Sequence, residues 1–369
     1  MATNNTLAGA KFSVQALADT VTSRASKGIL YLVIDDANVT PKLYTYTKLK
    51  QVTENYGEEN KAFISKAFSD YGVTKVLVAV GHDAINGISG CLDTTLALLN
   101  KINFNGWMAV PQVEKETDKK KIADFIKTQR SDEDYPLKGV LGNYLANHEA
   151  IVNFTGSDLG ISTNEYCLDV ACVLCTLGAN ESITNYTAKN VTGCDIKEDT
   201  DVSIQNGELF IIYNGINYVF TNGVNSLTTI PNGQSEDITH IRVVEVIDMV
   251  KSDIYTILNG KYIGKKGNSY TNRRTLVASL DSYLQGTKDY LSNDEKSYAE
   301  LDAEATRDWL EKNEIITSEW LINHGYEDID DVEDDVILKQ KLGVNVFIKI
   351  SLFVMDTMEK INIKLQYQI

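Results

Sequence analysis

The chain has 369 residues, of which 43% are hydrophobic and 23% are charged. This is the composition of a globular protein, and it excludes collagen, coiled coil and general disorder for most of the chain. The 35 basic and 51 acidic residues give a net charge of −16. Because an acidic chain repels phosphate backbones, we do not expect general nucleic-acid binding. The length suggests two or three domains, each able to bury a core.

Neither a membrane span nor a secretory leader is visible in the sequence. No apolar run reaches the ~18 residues that a span needs, and the first 21 residues lack a basic segment followed by an apolar one. Five cysteines are an odd number, which argues against a disulfide framework. We therefore expect a protein made in a reducing cytoplasm, with no membrane partner.

Apolar runs and amphipathic segments alternate from residue 28 onward. The runs predict strands at residues 28–36, 75–81, 105–113, 137–143 and 150–156. The amphipathic segments predict helices at residues 60–72, 88–102, 118–132 and 163–179. This alternation predicts a parallel sheet with helices on its faces. Residues 207–220 then form two β runs around Asn214-Gly215, a dipeptide that favours a type I′ hairpin.

Charge is distributed unevenly in the last third of the chain. Residues 240–260 predict an apolar helix, or a strand leading into a helix, and residues 272–291 predict a second helix. Residues 289–335 contain 17 acids and three bases, whereas residues 261–274 contain five bases and no acid. The run at 327–335 lacks the glycine of an EF-hand loop, which indicates a solvated acidic face or a flexible loop.

The end of the chain has the sharpest pattern, because apolar residues occupy every second position twice. The first set is Val344, Val346, Ile348, Ile350, Leu352 and Val354; the second is Ile361, Ile363, Leu365, Tyr367 and Ile369. This period predicts two β-strands that each have one apolar face. The backbone groups of the second strand need a partner, either in the same subunit or in another one.

Candidate catalytic residues are few. Cys172 and Cys175 lie in an apolar helical segment, which favours buried small hydrophobic residues over a redox or zinc site. His82 follows a predicted strand, where α/β enzymes place catalytic groups, and His148 lies in another loop. There is no phosphate-binding glycine motif and no nucleophile elbow. We therefore predict no catalytic, cofactor or metal site.

An enzyme remains the alternative interpretation. It would be an α/β hydrolase-like or nucleotide-handling protein with a C-terminal oligomerisation domain. This interpretation requires a pocket that holds His82 or His148 with a perturbed partner.

Four stretches, in order along the chain, resemble contractile tail sheath proteins. They are FSVQALADTVTSRASKGILYLVI (residues 12–34), GVNSLTT (223–229), SDIYTILNGKYIGKKGNSYTNRR (252–274) and VNVFIKISLFVMDTMEKINIKLQYQI (344–369). Each stretch alone is a weak signal, and together they are fairly specific. The likeness is strongest to the short sheaths of phages, prophages and R-type bacteriocins of Gram-positive hosts.

The resemblance implies an α/β plus α+β fold. Residues 1–27 would be an N-terminal arm, residues 28–238 a subtilisin-like α/β domain without catalytic activity, and residues 239–369 a C-terminal α+β sheath domain with a terminal exchanged strand. The implied function is that of a structural subunit in a contractile injection system. Such subunits form a helical polymer of stacked hexameric rings around a tail tube, and contraction drives the tube through the target envelope.

The implied partners are other copies of the chain, the tail tube protein, and the baseplate and tail terminator proteins. The particle would be a bacteriophage virion, where contraction precedes genome ejection, or a phage-tail-like particle assembled in a bacterial cytoplasm. A secretion-system sheath component is a third interpretation.

The resemblance also suggests which residues join subunits. The exchanged or receiving strand would contain Ile361, Ile363, Leu365, Tyr367 and Ile369. The accepting sheet would contain Val346, Ile348, Ile350 and Leu352. Phe12 and Val14 would belong to the N-terminal arm, and charge clustering suggests Lys265, Lys266, Arg273 and Arg274 as tube-facing residues. An ordinary intramolecular hairpin closed at residues 355–360 is the alternative for the chain end.

Overall fold

The computed structural model describes residues 28–100, 102, 105–178, 180–287, 290–292 and 294–359. These residues form two compact units. The first, here called the α/β unit, contains residues 28–252 and 356–359, and the second, the C-terminal unit, contains residues 253–355. Among the described helices, none combines the length and the apolar character that crossing a bilayer requires.

The α/β unit is built on a seven-stranded sheet with the order β2-β3-β1-β4-β5-β6-β7. The strands are β1 (Ile29–Asp35), β2 (Leu43–Tyr46), β3 (Lys75–Gly81), β4 (Gly106–Ala109), β5 (Leu137–Gly142), β6 (Ile151–Phe154) and β7 (Glu208–Leu209). Every neighbouring pair is parallel except β2 with β3. The predicted parallel sheet is therefore present, with an antiparallel edge strand that the sequence pattern did not reveal.

Helices cover both faces of this sheet. They are α1 (Glu58–Ser69), α2 (Ile88–Ala97), α3 (Glu116–Ser131), α4 (Thr163–Thr176) and the short α5 (Thr200–Gln205). Leu30 and Leu32 belong to the core formed with α1 and α4, whereas Tyr31 and Val33 belong to the core formed with α2 and α3. Alternate residues of β1 thus enter opposite cores, which explains its continuous apolar sequence.

The predicted hairpin is formed by β8 (Ile211–Tyr213) and β9 (Tyr218–Phe220), which pair antiparallel. Its predicted type I′ turn is wrong. That turn needs a positive φ at two consecutive residues, and only Gly215, with φ of 93°, has one in this loop. The Asn214 side-chain oxygen instead accepts hydrogen bonds from the amides of Ile216 and Asn217, which closes the loop as an Asx turn.

Helix α6 (Ile241–Lys261) is continuous, so the alternative of a strand leading into a helix is wrong. The C-terminal unit continues with α7 (Tyr270–Gly286), β10 (Tyr298–Leu301), α8 (Ala303–Lys312), α9 (Ser318–His324), α10 (Asp334–Lys339) and β11 (Ile348–Ser351). Its small core contains Leu310, Ile316, Ile329, Val332, Ile337 and Leu342.

The acidic segment 327–335 is an ordered, solvated face. Its acids are exposed while Ile329 and Val332 are buried beneath them. The Arg307 guanidinium donates to the carbonyl oxygens of Ile329 and Val332 and to the Asp334 carboxylate, 2.9 Å away. These bonds hold the segment on α8, so of the two predicted alternatives the solvated face is the one observed.

The first of the two predicted terminal strands is shorter than its pattern. Gly343 has a φ of 58° and Val344 is 94% exposed, so this part of the run is a turn. The strand covers residues 348–351, and an isolated bridge joins Val354 to Leu291. The second predicted strand, with Ile361, Ile363, Leu365, Tyr367 and Ile369, lies outside the described residues, as do Phe12 and Val14.

Candidate assembly surface

The sheet of the C-terminal unit has one covered edge and one open edge. Strand β11 pairs antiparallel with β10, with Ile350 opposite Ala299 and Ile348 opposite Leu301. The far edge of β10 is covered by α7, because the Ala299 amide donates to Asp281 Oδ1 (2.9 Å) and Gln285 Nε2 donates to the Ser297 carbonyl (2.7 Å). In the described part of the chain, no strand lies beside the outer edge of β11.

Sequence reasoning did not identify Asp281 and Gln285 as edge-covering residues. They are spaced four apart on α7, so they lie on one helix face. That spacing could have placed them together, but nothing in the pattern shows that this face meets a strand edge.

The predicted accepting residues direct their backbone groups to the open edge. The carbonyl oxygens of Phe347 and Phe353 accept hydrogen bonds from the amides of Asp302 (3.1 Å) and Ser292 (2.8 Å) on the β10 side. Because successive residues of an antiparallel strand point their backbone groups in opposite directions, Ile348 and Ile350 direct theirs outward. Both side chains are only half-buried. Among the described residues, the structure therefore combines a row of unpaired backbone groups on β11 with incompletely covered apolar side chains.

A groove of about 770 Å³ lies within the C-terminal unit, lined by residues of α7, β10, α8 and α10 and by Lys349 of β11. Its lining includes Tyr270, Arg274, Asp281, Asp335 and Lys349. The Arg274 guanidinium lies 6.0 Å from the centroid of the Tyr270 ring, within range of a cation–π contact. Charges of both signs line the groove beside apolar residues such as Val277 and Leu338, so its wall is mixed.

The predicted tube-facing residues do not form one equivalent set. Lys265 Nζ donates to the carbonyl oxygens of Asn259 (3.1 Å) and Gly260 (2.6 Å), which caps the last turn of α6. Lys265, Lys266 and Arg274 are exposed. Arg273 is 4% exposed, and its guanidinium donates to the Gln340 carbonyl. Burial lowers the pKa of Arg273, and we remove it from the set because its charge lies inside the unit.

The carboxyl edge of the large sheet, where α/β enzymes bind ligands, is occupied by the chain's own side chains. Gln112 Oε1 accepts a hydrogen bond from the Asp35 amide (2.8 Å), and Gln112 Nε2 donates to Asn60 Oδ1 (3.2 Å). Asn60 Nδ2 in turn donates to Asp36 (2.8 Å). This network links the carboxyl ends of β1 and β4, because Asp35 ends β1 and Gln112 follows β4.

His82 lies beside this network, with Nδ1 3.2 Å from Asp35 Oδ1. The nearby Cys91 thiol is 3.6 Å from the same oxygen, but burial raises its pKa, which disfavours the thiolate that a nucleophile needs. Ser89 Oγ donates to Asp118 (2.5 Å), a carboxylate rather than a histidine. These contacts do not assemble a nucleophile with an activating base.

The contacts of His148 indicate a structural role in its loop. Its Nδ1 accepts a hydrogen bond from the Ala150 amide (3.1 Å) and lies 3.4 Å from Glu149. Burial lowers the pKa of His148, which favours the neutral ring that this amide bond requires. Its perturbed pKa therefore has a structural cause.

The cysteines of α4 are buried small residues, as the sequence predicted. Cys167, Cys172 and Cys175 are at most 2% exposed, and their thiols are free. Burial raises their pKa values, that of Cys167 to about 12. Within the described ranges, no cluster of three or more His, Cys, Asp or Glu residues could hold a metal ion.

In comparisons with known proteins, this chain is similar to tail sheath proteins. Residues 233–368 match the family model of the phage tail sheath C-terminal domain. The tail sheath protein of Clostridium phage phiCD119 is 27% identical over 360 residues, an alignment that covers 95% of this chain and 96% of the phage protein.

Solved structures share the fold at low sequence identity. A sheath tail protein from Listeria innocua superposes with a TM-score of 0.66 at 14% identity, covering 79% of this chain and 92% of its own. The helical sheath of the anti-feeding prophage in its contracted state gives a TM-score of 0.63 at 11% identity, covering 93% and 94%. The resemblance to tail sheath proteins thus extends over nearly the whole chain, and it includes the match of residues 233–368 to the phage tail sheath C-terminal domain model.

Proposed function

We propose that this chain is the structural subunit of a contractile tail sheath. It polymerises as stacked hexameric rings around a tail tube, and contraction drives the tube through the envelope of a target cell. The match to the sheath C-terminal domain family and the near full-length likeness to a phage tail sheath protein support this proposal. The structural observation that carries it is the open edge of β11.

An open strand edge is suited to joining subunits. A strand added along Ile348 and Ile350 would form main-chain hydrogen bonds, which hold two subunits together while their bodies rotate. We propose that Val346, Ile348, Ile350 and Leu352 accept such a strand. Residues 361–369 of a neighbouring copy are the proposed donor, with the arm around Phe12 and Val14 as a second contributor.

The α/β unit serves as a scaffold in this proposal. We propose a subtilisin-like fold without catalysis for residues 28–238, a sheath domain at residues 239–369 and an arm at residues 1–27. The match to the C-terminal family begins at residue 233, close to the proposed border. The hydrogen bonds that Gln112 makes at the carboxyl edge of the sheet, and the burial that raises the pKa of Cys91, weigh against the enzyme interpretation.

The tail tube is the proposed inner partner. Lys265, Lys266 and Arg274 are exposed charges that would attract an acidic tube weakly enough to release it. The baseplate and tail terminator proteins would bind the two ends of the sheath. The particle is assembled in a bacterial cytoplasm, as a virion or a phage-tail-like particle.

Electron microscopy of the purified protein tests the proposal. We expect concentrated full-length protein to form hollow, striated tubes in negative stain. A variant without residues 361–369 should stay folded and soluble, as judged by circular dichroism and gel filtration, but form no tubes. Ordered tubes from the shortened protein would contradict strand exchange and support the intramolecular hairpin.

A further inference from the structure

Glu359 lies at the end of the described chain and is bound at one place on the α/β unit. Its Oε1 accepts hydrogen bonds from Thr184 Oγ1 (2.6 Å) and Ser182 Oγ (3.1 Å). Its Oε2 lies 3.2 Å from Asn222 Nδ2, which donates to it. Three donors from two loops therefore surround one carboxylate, and a charged acceptor forms strong bonds with such donors.

The donors are themselves held in position. The Gly223 amide donates to Thr184 Oγ1 (2.8 Å), and Ser182 Oγ also lies 2.9 Å from Thr184 Oγ1. The hydroxyl groups that receive Glu359 are thus part of a network within the α/β unit. Such preorganisation lowers the entropy lost when the carboxylate binds.

A second carboxylate holds the other end of the same segment. Asp356 Oδ2 lies 2.5 Å from His240 Nδ1, and Asp356 Oδ1 lies 3.9 Å from Arg242 Nη1. Between the two anchors, Met358 is 90% exposed. The segment 356–359 is therefore attached to the α/β unit by its two acids and not by apolar burial.

We propose that Asp356 and Glu359 form a clasp that fixes residues 356–359 on the α/β unit and sets the point from which residues 360–369 leave it. The acceptor site consists of Ser182, Thr184, Asn222, His240 and Arg242. This inference rests on the proposed function, because the clasp positions the strand that a neighbouring subunit receives. The sequence pattern did not reveal it, since neither acid belongs to an apolar repeat.

The clasp restricts how far the terminal segment reaches. Freeing four residues would lengthen the tether by up to about 14 Å. A longer tether lowers the effective concentration of the terminal strand at one neighbour and opens other pairings. A fixed exit point therefore favours a single subunit geometry.

Limited proteolysis of the full-length protein measures the clasp directly. Trypsin cleaves after Lys360, next to Glu359, and after Lys364, which serves as the reference within the same molecule. We expect the double variant Asp356→Ala, Glu359→Ala to raise the cleavage rate after Lys360 about tenfold relative to Lys364. The control Met358→Ala changes an exposed side chain of the same segment and should leave the ratio unchanged.

The isosteric variant Asn222→Asp tests the same contact from the acceptor side. It replaces a donor with a second negative charge facing Glu359, so it should raise the ratio as well. Circular dichroism at matched concentration establishes that each variant is folded. If both variants keep the wild-type ratio while folded, the clasp is wrong.

The clasp and the proposed function can fail separately. If the clasp variants raise the cleavage ratio and lose uniform tubes, both are supported. If the ratio rises while the variant lacking residues 361–369 still forms tubes, the clasp stands and the strand-exchange function falls. An unchanged ratio with loss of tubes on truncation overturns the clasp alone.

Discussion

Lys138 Nζ lies 3.1 Å from the carboxylate of Asp248, and both side chains are almost completely buried. Arg130 adds two hydrogen bonds to the same carboxylate, at 2.8 and 3.0 Å. Burial opposes ionisation of Asp248, but Lys138 and Arg130 outweigh it and lower the pKa of Asp248. These ion pairs attach the first half of α6 to β5 and α3.

Replacing Asp248 by Asn should destabilise the α/β unit strongly. The change removes the carboxylate that Lys138 and Arg130 share. Lys138 keeps Glu245 at 3.5 Å, and Arg130 keeps Glu149 at 3.5 Å. The loss should therefore be at most about 3–5 kcal/mol, the cost of a fully broken buried ion pair. Urea denaturation followed by circular dichroism measures the loss. Asp134→Asn is the matched control, because Asp134 pairs with Lys251 at the surface and its loss should cost about 0–1 kcal/mol. Equal losses in the two variants would show that the buried network does not stabilise the unit.

The clasp should loosen as the pH rises. The hydrogen bond to Asp356 raises the pKa of His240, burial opposes the rise, and Glu359 and Asp237 add to it. A raised pKa in the folded state means that the bond stabilises the clasp fully below about pH 6.5 and is lost as the pH passes the folded pKa. Asp356 stays ionised in this range, since His240 lowers its pKa.

The rate of tryptic cleavage after Lys360, divided by the rate after Lys364, measures this titration. We expect the wild-type ratio to increase as the pH rises above the ordinary histidine pKa of about 6.5. In the His240→Gln variant the ratio should not change with pH, because glutamine can still donate to Asp356 but does not titrate. A wild-type ratio that is independent of pH would contradict the role of His240.

Reversing the charges of Lys265 and Lys266 to Glu should impair assembly on tubes. In the proposed assembly the reversed pair would repel an acidic tube, whereas contacts between the subunits themselves would not involve it. Co-sedimentation with purified tubes measures binding, and electron microscopy counts free polymers. Lys120→Glu with Lys121→Glu is the control, because these exposed lysines lie on α3 of the α/β unit. Normal binding of the Lys265 and Lys266 variant would remove the tube-facing assignment.

Proline at position 350 should block strand addition without unfolding the protein. The Ile350 amide points to the open edge of β11, where proline removes a donor that β10 does not use. We expect soluble, folded protein that forms no tubes. Ile350→Ala keeps the amide and should still form tubes, whereas Ser351→Pro removes an amide on the β10 side and should destabilise the C-terminal unit. Tubes formed by the Ile350→Pro protein would show that this edge is not used.

The local pattern of residues determined most of the α/β unit. The run at Lys75–Gly81 predicted the bounds of β3, and helical spacing predicted α3 and α4 within a few residues. These elements are recognisable in the sequence because a strand buried on both faces is a continuous apolar run and an amphipathic helix has apolar residues at helical spacing. The resemblance to sheath proteins likewise depended on short stretches of sequence. Strands β2 and β10 were not predicted because each is only partly buried, so its sequence lacks the continuous apolar run that marks β4 and β6.

Contacts between distant residues were decided only by the tertiary structure. In the sequence Arg273 is one of several bases in a basic segment. In the fold its side chain is buried and donates to the carbonyl of Gln340, 67 residues away. Nothing in the sequence around Glu359 distinguishes it from other charged residues, because its hydrogen-bond partner Thr184 lies 175 residues earlier in the chain. The spacing of apolar residues indicates which face of a helix or strand is apolar. It does not indicate which other element will cover a charged residue, because that depends on how the whole chain packs. The sequence therefore determined most elements and the resemblance to sheath proteins. The tertiary structure decided which charges are buried, which acids bind the α/β unit and, among the described residues, which strand edge stays open.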